Sequence, residues 1–200
     1  MRATGGTPLE ITRIIPAFKH YPTEAAYVGA ILSGYSLLEF WLTQCVRTAF
    51  GDDPDMAISL VWRIRGEEQR IIVADAVMRP FYSKAGLAGP YCEAIADMHH
   101  CRIIRNQYAH CYWEIPLASG DPYLVFVDLE KTAKRHQAHH VDKEKVTLDL
   151  LKEQGAYFVF VRKCFAHICD AAEILAGRSP SPPDALPKKV PRPPLSNGPA

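Results

Sequence analysis

The sequence predicts an all-α fold, a helical bundle that carries a small β-hairpin. Long, largely apolar stretches with helical spacing run over residues 23–50 and 147–176. Strong stop signals such as Gly51-Asp52-Asp53-Pro54 separate the helical segments. With 200 residues, of which 48% are hydrophobic, the chain can build one sizeable core but hardly two. We therefore expect one helical domain over residues 23–177.

The segments between the two long helices alternate helical patterns with turn signals. Shorter helices are expected at 55–65, at 67–82 after a break at Gly66, and at 90–111, where Pro90 suits a first turn. The β-branched and aromatic residues of 111–116 and 123–129 flank turn-forming residues and predict a hairpin across about 111–129. A polar stretch, 130–145, then precedes the last helix.

Both ends of the chain are predicted to be extensions of the helical domain. Residues 1–22 contain glycines, prolines and a short apolar run that would lie as an extended arm. Residues 178–200 hold eight of the 16 prolines together with Lys188, Lys189 and Arg192, a composition typical of a disordered tail. The alternative for this tail is a docking peptide for a proline-recognising groove or a polyanion.

The overall composition excludes several classes of protein. The 23 basic and 22 acidic residues give a net charge of +1, so no whole-molecule field requires a nucleic acid or a membrane as partner. No leader-like segment and no run of 18 uncharged apolar residues is present, which predicts a cytoplasmic location. The six cysteines lack CxxC spacing and are interpreted as reduced core residues without disulfides.

The stretch 105–113, Arg-Asn-Gln-Tyr-Ala-His-Cys-Tyr-Trp, concentrates reactive residue types on one predicted helix. The spacing i, i+4, i+8 places Arg102, Asn106 and His110 on one stripe, with Arg105 able to reach it from the flank. A core-facing seam is expected on the opposite side, at Cys101, Ile104, Tyr108 and Cys111. The polar stripe therefore avoids the core, as a site would.

An arginine and a neutral histidine suit phosphodiester chemistry. Histidine exchanges protons near neutral pH, and the arginine fork matches a phosphate and stabilises the charge that grows on it. RNA carries its own nucleophile in the 2′-hydroxyl, so its cleavage needs neither a metal nor a cofactor. A two-fold dimer that places two such helices face to face would supply a second histidine.

Arg105-Asn106-x-x-x-His110 resembles the Rx4-6H motif of HEPN-like proteins, many of which are metal-independent RNases. The motif covers six residues, and the similar helical order spans about 23–176. The resemblance implies a helical bundle, a symmetric homodimer, and RNA cleavage by Arg105 and His110 with polar support from Asn106. It also implies a toxin or defence effector with an antitoxin or other regulatory partner. The alternative is a non-catalytic HEPN-like module for dimerisation or for binding a nucleotide or RNA.

Two further residues extend this hypothesis. His110-Cys111-Tyr112 is similar to the Rx4HxY form of toxins in HEPN/nucleotidyltransferase pairs, which implies nucleotidylation of Tyr112 by the antitoxin; otherwise Tyr112 packs beside Trp113. Glu39 is an isolated carboxylate in an apolar run, where it would be costly unless paired. We expect a salt link to Arg102 or Arg105 that orients the arginine, or else a Glu39 that faces water.

The remaining polar clusters point less directly to a functional site. His99 and His100 near Cys92 and Cys101, and His167 between Cys164 and Cys169, match no zinc spacing, so no metal site is expected. A basic loop contains His136, His139 and His140 among several lysines and could hold RNA phosphates, but a solvated loop is favoured because Asp142 and Glu144 dilute its basic charge.

Overall fold

The computed structural model describes residues 15–51, 54–114, 122–134, 143–180 and 182–199. The protein is predominantly helical, with one small antiparallel sheet. A 3-10 turn at Pro16–Lys19 precedes the other elements, which follow in the order α1 (Pro22–Phe50), α2 (Pro54–Arg63), α3 (Glu67–Lys84), α4 (Ala88–Ala109), β1 (Cys111–Glu114), β2 (Tyr123–Asp128), α5 (Leu129–Lys134), β3 (Lys143–Thr147) and α6 (Leu148–Leu175).

The predicted helices are confirmed to within a few residues, as is the antiparallel pairing of the two predicted strands. The predicted turn and the end of the first predicted strand, residues 115–121, lie outside the described residues. Helix α1 ends where Gly51 adopts a φ of 59°, a conformation that glycine enters at no steric cost. Gly177, with a φ of 70°, follows the end of α6 in the same way. The sequence did not predict α5 or the third strand, β3, because residues 130–145 are polar and lack strand alternation.

The chain forms two compact units. The sheet unit comprises residues 1–32, 106–155 and 193–200, and the helical unit comprises residues 33–105 and 156–192. Helices α1, α4 and α6 each contribute residues to both units, and the single domain expected over 23–177 stays a prediction.

The core of the sheet unit is aromatic. The strands pair in the order β1-β2-β3, both pairs antiparallel, with Trp113 opposite Phe126 and Leu124 opposite Val146. These four side chains are buried, as alternation on one face of a half-covered sheet requires. The Trp113 ring lies 5.7 Å from Tyr108 and 5.3 Å from Phe18, so the 3-10 turn before α1 packs into this core.

The last residues of the chain pack on the sheet unit, in contrast to the disorder expected for 178–200. Lys145 of β3 exchanges backbone hydrogen bonds with Asn197 and Gly198, at 2.9 and 3.0 Å. The buried amide of Gln154 donates to the Pro194 carbonyl at 2.8 Å, and Gln107 donates to Leu195 at 2.8 Å. The high proline content does not prevent this docking. Prolines restrict the unfolded chain, so less conformational freedom is lost on docking, and their carbonyls still accept hydrogen bonds.

The helical unit has its own core, centred on stacked tyrosines. Tyr82 of α3 and Tyr91 of α4 lie 4.5 Å apart with nearly parallel rings, and the Tyr82 hydroxyl donates to the Cys45 carbonyl of α1 at 3.1 Å. Residues 178–192 also contribute contacts to this unit: Arg192 donates to the buried carboxylate of Asp97 at 2.7 Å. The proline-rich segment is thus held at specific polar anchors.

Helix α1 is long and apolar enough to cross a membrane by length and composition. Core helices of globular proteins meet the same criterion. In this chain 28% of the apolar window of α1 is buried, and the helix carries the paired carboxylate of Glu39. The cytoplasmic location remains a prediction.

Candidate functional site

Helix α4 carries Arg102, Arg105 and Asn106, whereas His110, which the sequence placed on the same helical stripe, follows the helix end at Ala109. The predicted core seam is confirmed at Cys101, Ile104 and Tyr108, which are buried, while Cys111 is half-buried beyond the helix end. Gln107 is also buried, because its amide meets the Leu195 carbonyl. The helix therefore turns Arg102, Arg105 and Asn106 away from the most buried side.

The motif residues fall on both sides of the boundary between the units, which lies between Arg105 and Asn106. The helical unit contains Glu39, Arg102 and Arg105, whereas the sheet unit contains Asn106, His110 and Tyr112.

In the helical unit, both arginines of α4 meet acidic residues of the first turn of α3. Arg105 Nη1 lies 3.0 and 3.2 Å from the two carboxylate oxygens of Glu67. Arg102 Nη2 lies 3.1 Å from Glu68 Oε1. The side chains of Arg102 and Arg105 are 17% and 27% exposed, so both guanidinium groups are held in place near the surface.

The carboxylate of Glu39 pairs with Arg70 of α3 instead of the expected Arg102 or Arg105. Both side chains of this pair are largely buried, and the Arg70 guanidinium also lies 4.9 Å from the Trp62 ring. Burial raises the pKa of Glu39 and the charge of Arg70 opposes that shift, while Arg105 lowers the pKa of Glu39 more weakly. The sequence missed Arg70 because helical periodicity does not show which faces of different helices meet.

Tyr35, one helical turn before Glu39, is a further residue of this region. Its ring lies under Arg105, with Cζ of the guanidinium 5.6 Å from the ring centroid. The Tyr35 hydroxyl and Arg102 Nε are buried and have no hydrogen-bond partner among the described residues. Burial and the neighbouring carboxylates of Glu39 and Glu67 raise the pKa of Tyr35, so its phenol stays protonated. It can therefore donate a hydrogen bond to an acceptor.

These charged residues form what we call the ion cluster, with Glu39 on α1, Glu67, Glu68 and Arg70 on α3, and Arg102 and Arg105 on α4. Its three carboxylates balance its three guanidinium groups. An anion such as an RNA phosphate would therefore gain full access to Arg102 or Arg105 only by displacing a carboxylate, since the pairs already satisfy much of the arginine charge.

In the sheet unit, His110 stands exposed directly after α4, with its backbone N–H bonded to the Asn106 carbonyl at 3.1 Å. No hydrogen bond or ion pair of its imidazole is found within the described ranges. Ala109 beside it is exposed as well. The imidazole is thus accessible to a substrate, as a proton-transfer group must be.

The two aromatic residues after the motif have opposite environments. Tyr112 is 59% exposed on β1, whereas Trp113 is 7% exposed and packs on Phe126. The packing aromatic of this strand is therefore Trp113, and Tyr112 is largely exposed.

Within the part of the chain that the structure describes, no three His, Cys, Asp or Glu side chains come together as metal ligands. Arg102 and burial lower the pKa of His99, with burial the larger cause. The basic loop with His136, His139 and His140 lies outside the described residues.

The residues that the sequence reasoning missed are Tyr35, Glu67, Glu68 and Arg70. One signal was available, because Glu67-Glu68 directly follows Gly66 and acidic residues are typical of a first helical turn. This signal does not show which arginines pair with Glu67 and Glu68.

Searches against protein-family models, curated proteins and solved structures find no match to this chain.

Proposed function

We propose that this protein is a HEPN-like, metal-independent endoribonuclease that acts as a homodimer, plausible as a toxin or defence effector. The observation that carries the proposal is the exposed imidazole of His110, five residues after an arginine whose guanidinium is fixed by Glu67 and Tyr35. This is the pairing of residue types that the Rx4-6H motif uses.

The reaction assigned to these residues is internal transesterification. A neutral His110 accepts the proton of the RNA 2′-hydroxyl while that oxygen attacks the adjacent phosphorus. The bond from phosphorus to the 5′-oxygen breaks, and the leaving oxygen takes a proton from an acid, for which the second copy of the chain would supply its own His110. The products are a 2′,3′-cyclic phosphate and a 5′-hydroxyl. Arg105 stabilises the charge on the phosphoryl oxygens.

The remaining motif residues have supporting roles in this proposal. Asn106 gives polar support from the same helical turn as Arg105, and Arg102 adds a second cation. Glu39 acts indirectly, because it fixes Arg70 and contributes to the field around Arg105. Tyr112 is the exposed hydroxyl that a nucleotidylating antitoxin would modify.

A second function is favoured by the balanced charge of the ion cluster. Arg102 and Arg105 already have carboxylate partners, as they would in a module that only dimerises or binds a nucleotide or RNA without cleaving it. In that case Arg105 is a structural residue and His110 has no chemical role.

RNA cleavage in the presence of a chelator distinguishes the two functions. We expect wild type to produce 2′,3′-cyclic phosphate ends, and Arg105→Ala and His110→Ala to lose this activity by at least about a hundredfold, the usual contribution of a proton-transfer group. Matched controls are His20→Ala, an exposed histidine, and Arg79→Ala, an arginine paired with Asp75. Cleavage by the first two variants at the wild-type rate would rule out the enzyme, and RNA binding without cleavage would support the module.

A further inference from the structure

The thiols of Cys45 and Cys169 lie next to each other in the helical unit. Cys45 is on α1 and Cys169 on α6, 124 positions apart, and their Sγ atoms are 3.1 Å from one another. Both residues are buried, at 0% and 5% exposure. Sequence reasoning treated all six cysteines alike, because nothing in their spacing shows which of them meet in space.

The other four cysteines have different surroundings. Cys92 accepts a hydrogen bond from Arg79 at 3.3 Å, and Cys111 donates to the Tyr108 carbonyl at 3.4 Å. Cys101 and Cys164 are buried, and no thiol contact of theirs is found among the described residues. They provide matched controls for a reaction that requires two adjacent thiols.

A cavity of about 350 Å³ leads to one member of the pair. Cys169 lines it together with Phe40, Trp41, Gln44 and Thr48, whereas Cys45 is not among its lining residues. The cavity has room for several water molecules, each of which occupies about 30 Å³ in the liquid. The cavity is therefore large enough to admit a molecule as small as hydrogen peroxide beside Cys169.

We propose that Cys45 and Cys169 are an oxidation site, at which hydrogen peroxide converts the two thiols into a disulfide that ties α1 to α6. Cys169, which faces the cavity, attacks the peroxide: an S–O bond forms, the O–O bond breaks and one water leaves. The Cys45 sulfur then attacks the sulfenic sulfur, so that the S–S bond forms, the S–O bond breaks and a second water leaves. Two thiols are oxidised and one peroxide is reduced.

The environment of Cys169 sets the conditions for this reaction. The hydrogen bond with Cys45 and burial raise the pKa of Cys169 well above its ordinary value. Because the thiolate is the nucleophile, oxidation is slow at neutral pH and accelerates as the pH rises. The product closes a long loop and so restricts the unfolded chain, which stabilises the oxidised form.

Peroxide treatment of the reduced full-length protein tests the proposal. After denaturation and alkylation, we expect wild type to have lost two of its six thiols and the mass of two hydrogens, with a proteolytic peptide that links Cys45 to Cys169. The unfolding temperature should rise and should return to its starting value with reductant.

The variants identify the pair. Cys101→Ala and Cys164→Ala should still form the link, while in Cys45→Ala the remaining Cys169 should instead proceed to the sulfinic acid. The peptide map of wild type decides the matter even if a variant folds poorly. Three results would overturn the proposal. They are a link between other cysteines, the persistence of all six thiols at high pH, and the same loss of two thiols in Cys45→Ala.

Discussion

Arg105 Nη1 lies within hydrogen-bonding distance of both carboxylate oxygens of Glu67, at 3.0 and 3.2 Å, and both side chains are about one quarter exposed. This contact joins the arginine of the motif to the first turn of α3. It positions the guanidinium, but it also occupies the group that the proposed reaction needs.

Glu67→Gln should therefore strengthen RNA binding, because the amide keeps the size of the side chain and removes its charge. A partly exposed ion pair is worth about 1 kcal/mol, which corresponds to about fivefold in affinity. Fluorescence anisotropy with a 2′-O-methyl RNA, which cannot be cleaved, measures the change. Glu93→Gln, at an exposed pair with Lys189, is the matched control. An unchanged or weaker affinity, or a gain that persists when Arg105→Ala is added, would contradict the prediction.

Arg70→Met should destabilise the protein in a manner that depends on pH. It leaves the buried Glu39 carboxylate without its partner, at an expected cost of about 3 kcal/mol at pH 7. Since Arg70 lowers the pKa of Glu39, its removal raises that pKa further, and the folded variant holds its proton to higher pH than the unfolded chain. The stability of the variant relative to wild type should thus fall as the pH rises from below the ordinary glutamate pKa to neutrality.

Urea unfolding of both proteins at several pH values measures this difference. Lys152→Met, at an exposed pair with Asp149, should change stability by less than about 0.5 kcal/mol at every pH. A penalty for Arg70→Met that is the same in acid as at neutrality would mean that the Glu39 charge does not cause it.

A chain that ends at Arg192 should lose stability in the sheet unit. The deletion leaves the buried amides of Gln154 and Gln107 without their acceptors at Pro194 and Leu195. Each unsatisfied buried group costs about 1–3 kcal/mol. Hydrogen exchange of Lys145 should accelerate as well, since its N–H donates to Gly198. Pro191→Ala, in the same segment but exposed, is the control. Unchanged exchange and stability would show that the last residues do not dock in solution.

Trp113→Ala and Tyr112→Ala should have very different effects although the residues are neighbours. Trp113 is buried among aromatic rings, and its removal should cost about 3–5 kcal/mol. Tyr112 is mostly exposed, and its removal should cost under about 1 kcal/mol. Urea unfolding of both variants gives the comparison. A large loss for Tyr112→Ala would return that residue to a packing role and weaken its assignment as a modification site.

Local patterns in the sequence were sufficient for most element boundaries. Pro22, Gly51 and Gly177 mark the helix ends through their own backbone preferences, so α1 and α6 could be predicted without knowledge of their neighbours. The core seam of α4 followed from helical spacing alone, as did the position of Arg105 beside it. These features depend on residues a few positions apart.

Partners distant in the chain were decided by the tertiary structure. The pairs of Glu39 with Arg70, Arg105 with Glu67 and Cys45 with Cys169 join different helices, and no periodicity encodes which faces meet. The docking of residues 193–199 was not predicted for the same reason. The carbonyls of Pro194 and Leu195 accept hydrogen bonds from Gln154 and Gln107, which are distant in the sequence. The sequence by itself determined where the long helices lie and that Arg105 and His110 are five residues apart. Only the packing of helix on helix decided that the arginine charge is already balanced, since ion pairs depend on distance in space.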